Sequence, residues 1–428
     1  MPGPIRAFSL TNKIRKLMLN SVKRIRSQLL SRINRRRSWR WAKKGLYFFV
    51  LVAVFANFLA NDKPYLCKYK GEWQAPLFRA IAVDLGISQW PADQANIRWQ
   101  EATLKRDFWP PVPYGPNQID LYNNRYTSPL DQQKVKSWRY RHWLGTDDLG
   151  RDVLAGMIWG TRVALVIGIF SMLLASVVGI ILGSLAGYFG NTGLRIKRSQ
   201  GWGLLLGALV GLYWGFLVRR PLMDTDQEIS YFAGGLFFVA LACTLGSWLG
   251  GKWFPTNKQA SLPIDTLVMR VIETINSIPA LLLLLAIVAI VPKPSILSII
   301  IILGLLSWSG IARFVRGEML QIRSLEYIQA AKVLGASPMR SLWRHALPNA
   351  LGPVYVALAF GISGAILIEA SLSFLGIGMP TDAASWGKLL RFARSAPNAW
   401  WLAIFPGMAI FITVTIFNLL GEAVSEEG

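Results

Sequence analysis

Between residues 163 and 189 the chain carries no charged side chain, and its only polar groups there are serine and tyrosine hydroxyls. At 1.5 Å per residue that run makes about 40 Å of helix, more than the ~30 Å hydrocarbon core of a bilayer. Inside lipid each backbone N–H and C=O needs a partner from its own segment, so an apolar run this long has to be a membrane helix. Seven other apolar runs are candidate spans, the first of them short and 264–290 broken by three charges: residues 45–60, 202–218, 231–250, 264–290, 296–311, 351–368 and 402–420. The hydrophobic share of 53% agrees. The expected class is an all-α polytopic membrane protein.

Charge sets the sidedness. Residues 1–44 hold fourteen of the Lys and Arg and no Asp or Glu. This arm runs directly into the first apolar run. Positive-inside anchoring and attraction to anionic membrane lipid therefore account for it, and no nucleic-acid partner is expected. Trp39, Trp41 and Tyr47 suit the interface, and so many basic residues ahead of the run read as a signal anchor rather than a cleaved leader. With the arm inside, the expected organisation is a cytoplasmic polybasic arm (1–44), a first span (45–60), an extracytoplasmic loop subdomain (61–155) and a second span (156–190). An insertion with two apolar helices (191–262) follows. The rest of the membrane core (263–421) contains a cytoplasmic loop at 317–348, and residues 422–428 form a tail. Both termini fall on the cytoplasmic side. Arg219 and Arg220 then face outward beside Asp224, Asp226 and Glu228, which leaves a re-entrant inserted pair open.

Two glycine stripes mark close helix contacts. Gly179, Gly183 and Gly187 recur every four residues, as do Gly203, Gly207, Gly211 and Gly215. The second stripe predicts a hairpin at the edge of the core, packed on its own partner or on the core, with Leu204, Leu205, Leu212 and Phe216 toward lipid and no part in the pore. Pro279 predicts a kink in the 264–290 run.

Reactive chemistry is sparse. Residues 246–252, GSWLGGK, imitate the start of a phosphate-binding loop, but Trp253 stands where a hydroxyl belongs and no strand precedes it, so the stretch reads as a helix end. No ATP site, catalytic residue or metal site is expected. Asp147, Asp148, Arg151 and Asp152 near His142 read as a polar lip with internal ion pairs. Cys67 and Cys243 are not expected to pair. Glu369 ends an apolar run and is a candidate pore or gate residue, the other reading being a contact that holds a loop.

Residues 326–349 form a basic island between apolar runs. A helix is expected over 325–334 with Leu325, Ile328 and Leu334 apolar, ended by a positive-φ Gly335. Ser337 suits an N-cap and Pro338 a first helical position, with Pro348 closing the second helix. The order Ala330-Ala331, Gly335, Leu347-Pro348 resembles the EAA loop of ABC importer permeases, with Gln329 where that family has Glu. HWLGTDDLGRDVLAGMIWGTRVAL (142–165) and EASLSFLGIGMP (369–380) are similar to dipeptide and oligopeptide permeases. ANDKPYLCKYKGEWQAPLF (60–78) resembles the branch that includes microcin C importers. The resemblance implies a six-span permease core plus the inserted pair, serving a binding-protein-dependent ABC importer for peptides or peptide-like solutes. It implies a second permease subunit, two ABC ATPases that carry ATP and magnesium, and an extracytoplasmic solute-binding protein, in the cell inner membrane. Tyr327, Gln329, Ala330, Ala331, Gly335, Ala336 and Ser337 would dock the ATPase, and His345 would be structural or contact-forming. A nickel or metal-chelate importer of the same family, or a non-transporting assembly or sensor protein, is the alternative.

Overall fold

The computed structural model describes residues 38–427 apart from 92–93, 95–96, 103, 220–227, 254–258, 292–294 and 381. Most of the arm, together with Arg220, Asp224 and Asp226, therefore lies outside the described residues. Residues 38–54 (α1) form a helix that starts within the basic arm, where Lys43 sits 4.3 Å over the Trp39 ring. One turn, Ala56–Leu59 (α2), completes it.

The loop subdomain carries a three-stranded antiparallel sheet, β1 (Leu66–Tyr69), β2 (Glu72–Gln74) and β3 (Lys105–Phe108), in the order β2-β1-β3. Lys70 and Gly71 both take positive φ, as a two-residue hairpin turn requires. Helix α3 (Pro76–Asp84) follows β2. Cys67 is buried and unpaired beside Trp99 and Trp109, and Cys243 is also free.

Helix α4 (Val153–Phe189) begins three residues before the expected boundary because Asp152 caps it, its Oδ1 accepting from the Ala155 N–H at 2.6 Å. The insertion leaves and returns through one antiparallel ribbon, β4 (Arg195–Lys197) on β5 (Gln259–Ser261). Between these strands run α5 (Arg198–Leu212), prolonged by a π turn to Leu217, and α6 (Glu228–Trp253). The second glycine stripe faces α6. A Cβ on Gly211 would lie 2.6 Å from the Val239 Cα, and one on Gly207 would meet the Ala242 carbonyl. Leu204, Leu205 and Leu212 are exposed, while Phe216 is half-buried against Tyr231. Residues 246–252 lie inside α6, with Gly246 and Gly250 packed on Gly203 and Ser199. Gly207→Leu with Gly211→Leu should separate the hairpin, since overpacking costs about 1–3 kcal/mol per site. Faster proteolysis within the insertion, with uptake largely retained, is the expected readout; an unchanged cleavage pattern would count against the seam.

Helices α7 (Ile264–Asn276) and α8 (Ala280–Ile290) meet at an angle of 87°, so the expected kink at Pro279 is a sharp break. Pro279 cannot donate to a continuing ladder, and the residue before it is pushed out of the helical region. Helix α9 (Ile296–Ile322) runs further than residue 311 because Ala312, Val315, Met319 and Ile322 continue its buried face. It is joined to the end of α4: Arg323 donates to the Gly187 carbonyl at 3.2 Å, and a Cβ on Gly183 would lie 2.5 Å from the Ala312 carbonyl. The start of α7 lies at that same end, with the Leu262 N–H on the Leu194 carbonyl at 2.9 Å. Since α9 also ends there, the chain between Leu262 and Ile296 has to return to the opposite end of α9, where that helix starts.

Short helices α10 (Glu326–Val333), α11 (Pro338–Arg340) and α12 (Leu347–Ala350) come next, then α13 (Gly352–Leu375), α14 (Trp386–Ser395) and α15 (Trp401–Glu427). The last of these carries the expected tail on as helix, since Glu and Ala propagate it. Among the described residues six helices are long and apolar enough to cross a membrane, seven counting the bent pair as one span. The main core lies where α4, α9 and α13 meet.

Candidate functional site

Three features stand at or near the ends of this bundle. The first is the helical hairpin after α9. Gly335 takes φ 83° at its tip, and the Ser337 hydroxyl accepts from the Arg340 N–H at 3.3 Å. Pro348 does not close the second arm. A π segment, Ser341–Ala346, links α11 to α12, and its wider turn accommodates the proline within a helix that continues to Ala350. The three apolar positions of the first arm are not equivalent. Ile328 alone is buried, together with Leu342 and Ala346 from the second arm, whereas Leu325 is exposed and Leu334 is 86% exposed. The hairpin is thus seated by three side chains and presents its other face outward.

That outward face contains the expected docking residues. Tyr327, Gln329, Ala330, Gly335 and Ser337 are exposed, and Ala331 and Ala336 are half-buried. Val333, 87% exposed, stands beside Leu334 at the tip. Neither Val333 nor Leu334 is among the expected docking residues; two apolar residues immediately before a positive-φ glycine were the available signal. Gln329 has a distinct local task. Its amide donates at 3.0 Å to the carbonyl of Arg323, the C-cap of α9. A carboxylate cannot donate there, and it would meet the negative end of the helix dipole. Gln329→Glu is therefore expected to loosen the hairpin and weaken ATPase capture by about 0.5–1.5 kcal/mol, read by pull-down of the ATPase; equal or stronger capture would refute this role.

The second feature is a cavity of about 810 Å³ between α9 and α13, with Gly310, Phe314, Glu318, Gly352 and Gly364 on its wall. It reaches the hairpin through Asn349, which lines it and donates to the Tyr327 hydroxyl and the His345 carbonyl, both at 3.0 Å. Glu369 is not on this wall. It is 1% exposed and its Oε1 accepts from the Ser373 hydroxyl at 2.7 Å.

The third feature is at the opposite end. His142 is fully buried between Asp152, 2.8 Å from Nδ1, and Asp120, 3.2 Å from Nε2, with Tyr114 stacked on its ring at 4.3 Å. Burial alone would lower its pKa, but hydrogen bonds to the two carboxylates and their charges outweigh it and hold the imidazole up at about 9. Asp147 accepts from the Arg151 guanidinium at 2.7 Å. No group of three or more His, Cys, Asp or Glu suited to a metal occurs among the described residues.

A bundle of membrane-length helices with a cavity that reaches a helical hairpin at one end fits a transport subunit. The comparisons agree. Residues 242–426 match the family described as binding-protein-dependent transport system inner membrane component. The chain is 27% identical to a putative peptide permease protein of Brucella suis, over 76% of this chain and 81% of that protein. It is 27% identical to the inner membrane ABC transporter permease protein YejE of Escherichia coli, over 92% and 93%. With the glutathione transport system permease protein GsiD of Pectobacterium atrosepticum the identity is 30%, over 67% and 71%. The chain belongs to this family of inner membrane transport components. It is a multi-pass inner membrane permease subunit that works with an ABC ATPase and a solute-binding protein, rather than an enzyme.

Proposed function

We propose that this chain is one permease subunit of an importer for peptides or peptide-like solutes, moved by partner ATPases through the hairpin of α10–α12. The observation that carries the reading is the seated hairpin with an exposed tip, whose first arm is tied to the cavity wall by the Tyr327–Asn349 hydrogen bond. Two of the three relatives above are named for peptide or glutathione transport, which favours a peptide solute over a metal chelate. Family membership disfavours a sensor or assembly factor.

In this reading a second permease completes the path, and two ATPases supply ATP and magnesium, this chain having no nucleotide site of its own. The hairpin and both termini lie in the cytoplasm, and the loop subdomain meets the solute-binding protein. Closure of the ATPases pushes on the tip at Val333–Ser337. The push passes through Gln329 to the end of α9, and through Tyr327 to Asn349 and the entry of α13. Those two helices face the cavity, so the same displacement alternates access to it.

Ala331→Asp tests the proposal. It places a carboxylate in the half-buried contact face and should cut uptake and ATPase co-purification together at unchanged membrane level. Normal values for both would sink it.

A further inference from the structure

The two inserted helices leave a groove of about 720 Å³ along one side of their glycine seam. Leu206, Val210, Leu245 and Leu249 wall it, and for most of its length it offers nothing polar. From Arg198 to Val210 it follows about 18 Å of α5, close to the ~15 Å depth of one leaflet's hydrocarbon.

At one end the chemistry changes. Ser199 lines the groove and is 7% exposed, and its hydroxyl has no hydrogen-bond partner among the described residues. A buried hydroxyl left this way is costly unless a ligand satisfies it. Arg198 lines the same end as the first residue of α5, whose N-cap, Lys197, supplies no side-chain hydrogen bond. Lys252, 5.1 Å over the Trp248 ring, precedes the groove-lining Trp253, and Arg195 stands in β4 three residues before Arg198. No Asp or Glu occurs in residues 190–217 or 229–264. A helix N-terminus, an arginine and a waiting hydroxyl together suit a phosphate.

We propose that this groove is a site for an anionic phospholipid, one acyl chain lying along the glycine seam and the phosphate held by Arg198 and the Ser199 hydroxyl. A free phosphate has no use for the apolar length. A partner's apolar helix would leave the cations and the hydroxyl unmatched. The β4–β5 ribbon puts the phosphate end beside the end of α4, on the side of the α10–α12 hairpin. In the orientation proposed above that is the cytoplasmic leaflet, where anionic lipid attracts basic groups.

The test uses the full-length protein in phosphatidylcholine vesicles carrying a trace of phosphatidylglycerol or phosphatidylcholine with a photoactivatable acyl chain. Peptides containing Leu206–Val210 and Leu245–Leu249 should be labelled several-fold more by the phosphatidylglycerol probe, and unlabelled phosphatidylglycerol should compete. Arg198→Gln with Ser199→Ala should erase that excess. Val210→Trp, which fills the apolar length and leaves the basic end intact, should lower labelling by itself. Equal labelling by both probes, an excess that survives both variants, or crosslinking of the groove to another protein in place of lipid overturns the proposal.

Discussion

Replacing Val333 and Leu334 together by Asp is expected to abolish solute uptake while the protein still reaches the membrane at its normal level. Both side chains are more than 85% exposed at the tip of a hairpin that is anchored from beneath by Ile328, Leu342 and Ala346. Two large apolar groups held side by side that far from their own core gain nothing by folding, and such a patch suits a partner surface. If the ATPase covers them, each acts as a contact hot spot worth about 2 kcal/mol, and loss of one alone lowers affinity roughly 30-fold. Two carboxylates pressed into the same surface cost more, since they are desolvated without a partner. Uptake in whole cells and co-purification of the ATPase measure the effect. Retention of both would show that the hairpin docks through another face.

His142→Ala should have the largest effect on stability, outside the membrane. It leaves Asp120 and Asp152 facing each other around a cavity, and removing one partner of a buried ionic group costs about 3–5 kcal/mol. The damage would reach the first turn of α4, because Asp152 is also its cap. In the intact protein the pH dependence follows from the shifts. The His142 pKa is raised to about 9 from an unfolded value of about 6.5, so its stabilisation is complete below about 6.5 and is lost as the pH rises through about 9. Burial raises the Asp120 pKa, but hydrogen bonds from His142, Asn123 and the Tyr122 backbone outweigh this and hold it at about 2. Its stabilisation is present above about 4 and lost as the pH falls through about 2. Protease resistance of residues 109–152 should therefore be greatest between about pH 4 and 6.5, decline toward pH 9, and in His142→Ala be low throughout. A flat profile in the intact protein would remove the imidazolium from the account.

The membrane class, the break at Pro279, the glycine seams and the turn at Gly335 were legible in the chain itself. Each depends on local physics: the length of an uncharged run, a missing N–H, a missing Cβ or a positive φ. Where those seams would find their partners was not legible. Gly179, Gly183 and Gly187 lie on α9, more than a hundred residues away, while the second stripe lies on the helix that follows it. Spacing states that a groove exists and not what fills it. The same limit applies to the hairpin. Ile328 and Leu334 are equally apolar in composition, and only the placement of Leu342 and Ala346 beneath α10 buries one and exposes the other. Gln329 looked like a lost charge, and its value appeared only when the Arg323 carbonyl was found opposite its amide. His142 looked like a lone imidazole, although Asp120, twenty-two residues away, completes its cage. Local sequence determined which segments are helices and where they bend or stop, because those choices are settled within a few residues. Which faces pair, and which are left for a partner, was decided by the tertiary structure, because burial is shared between segments that the chain order keeps apart.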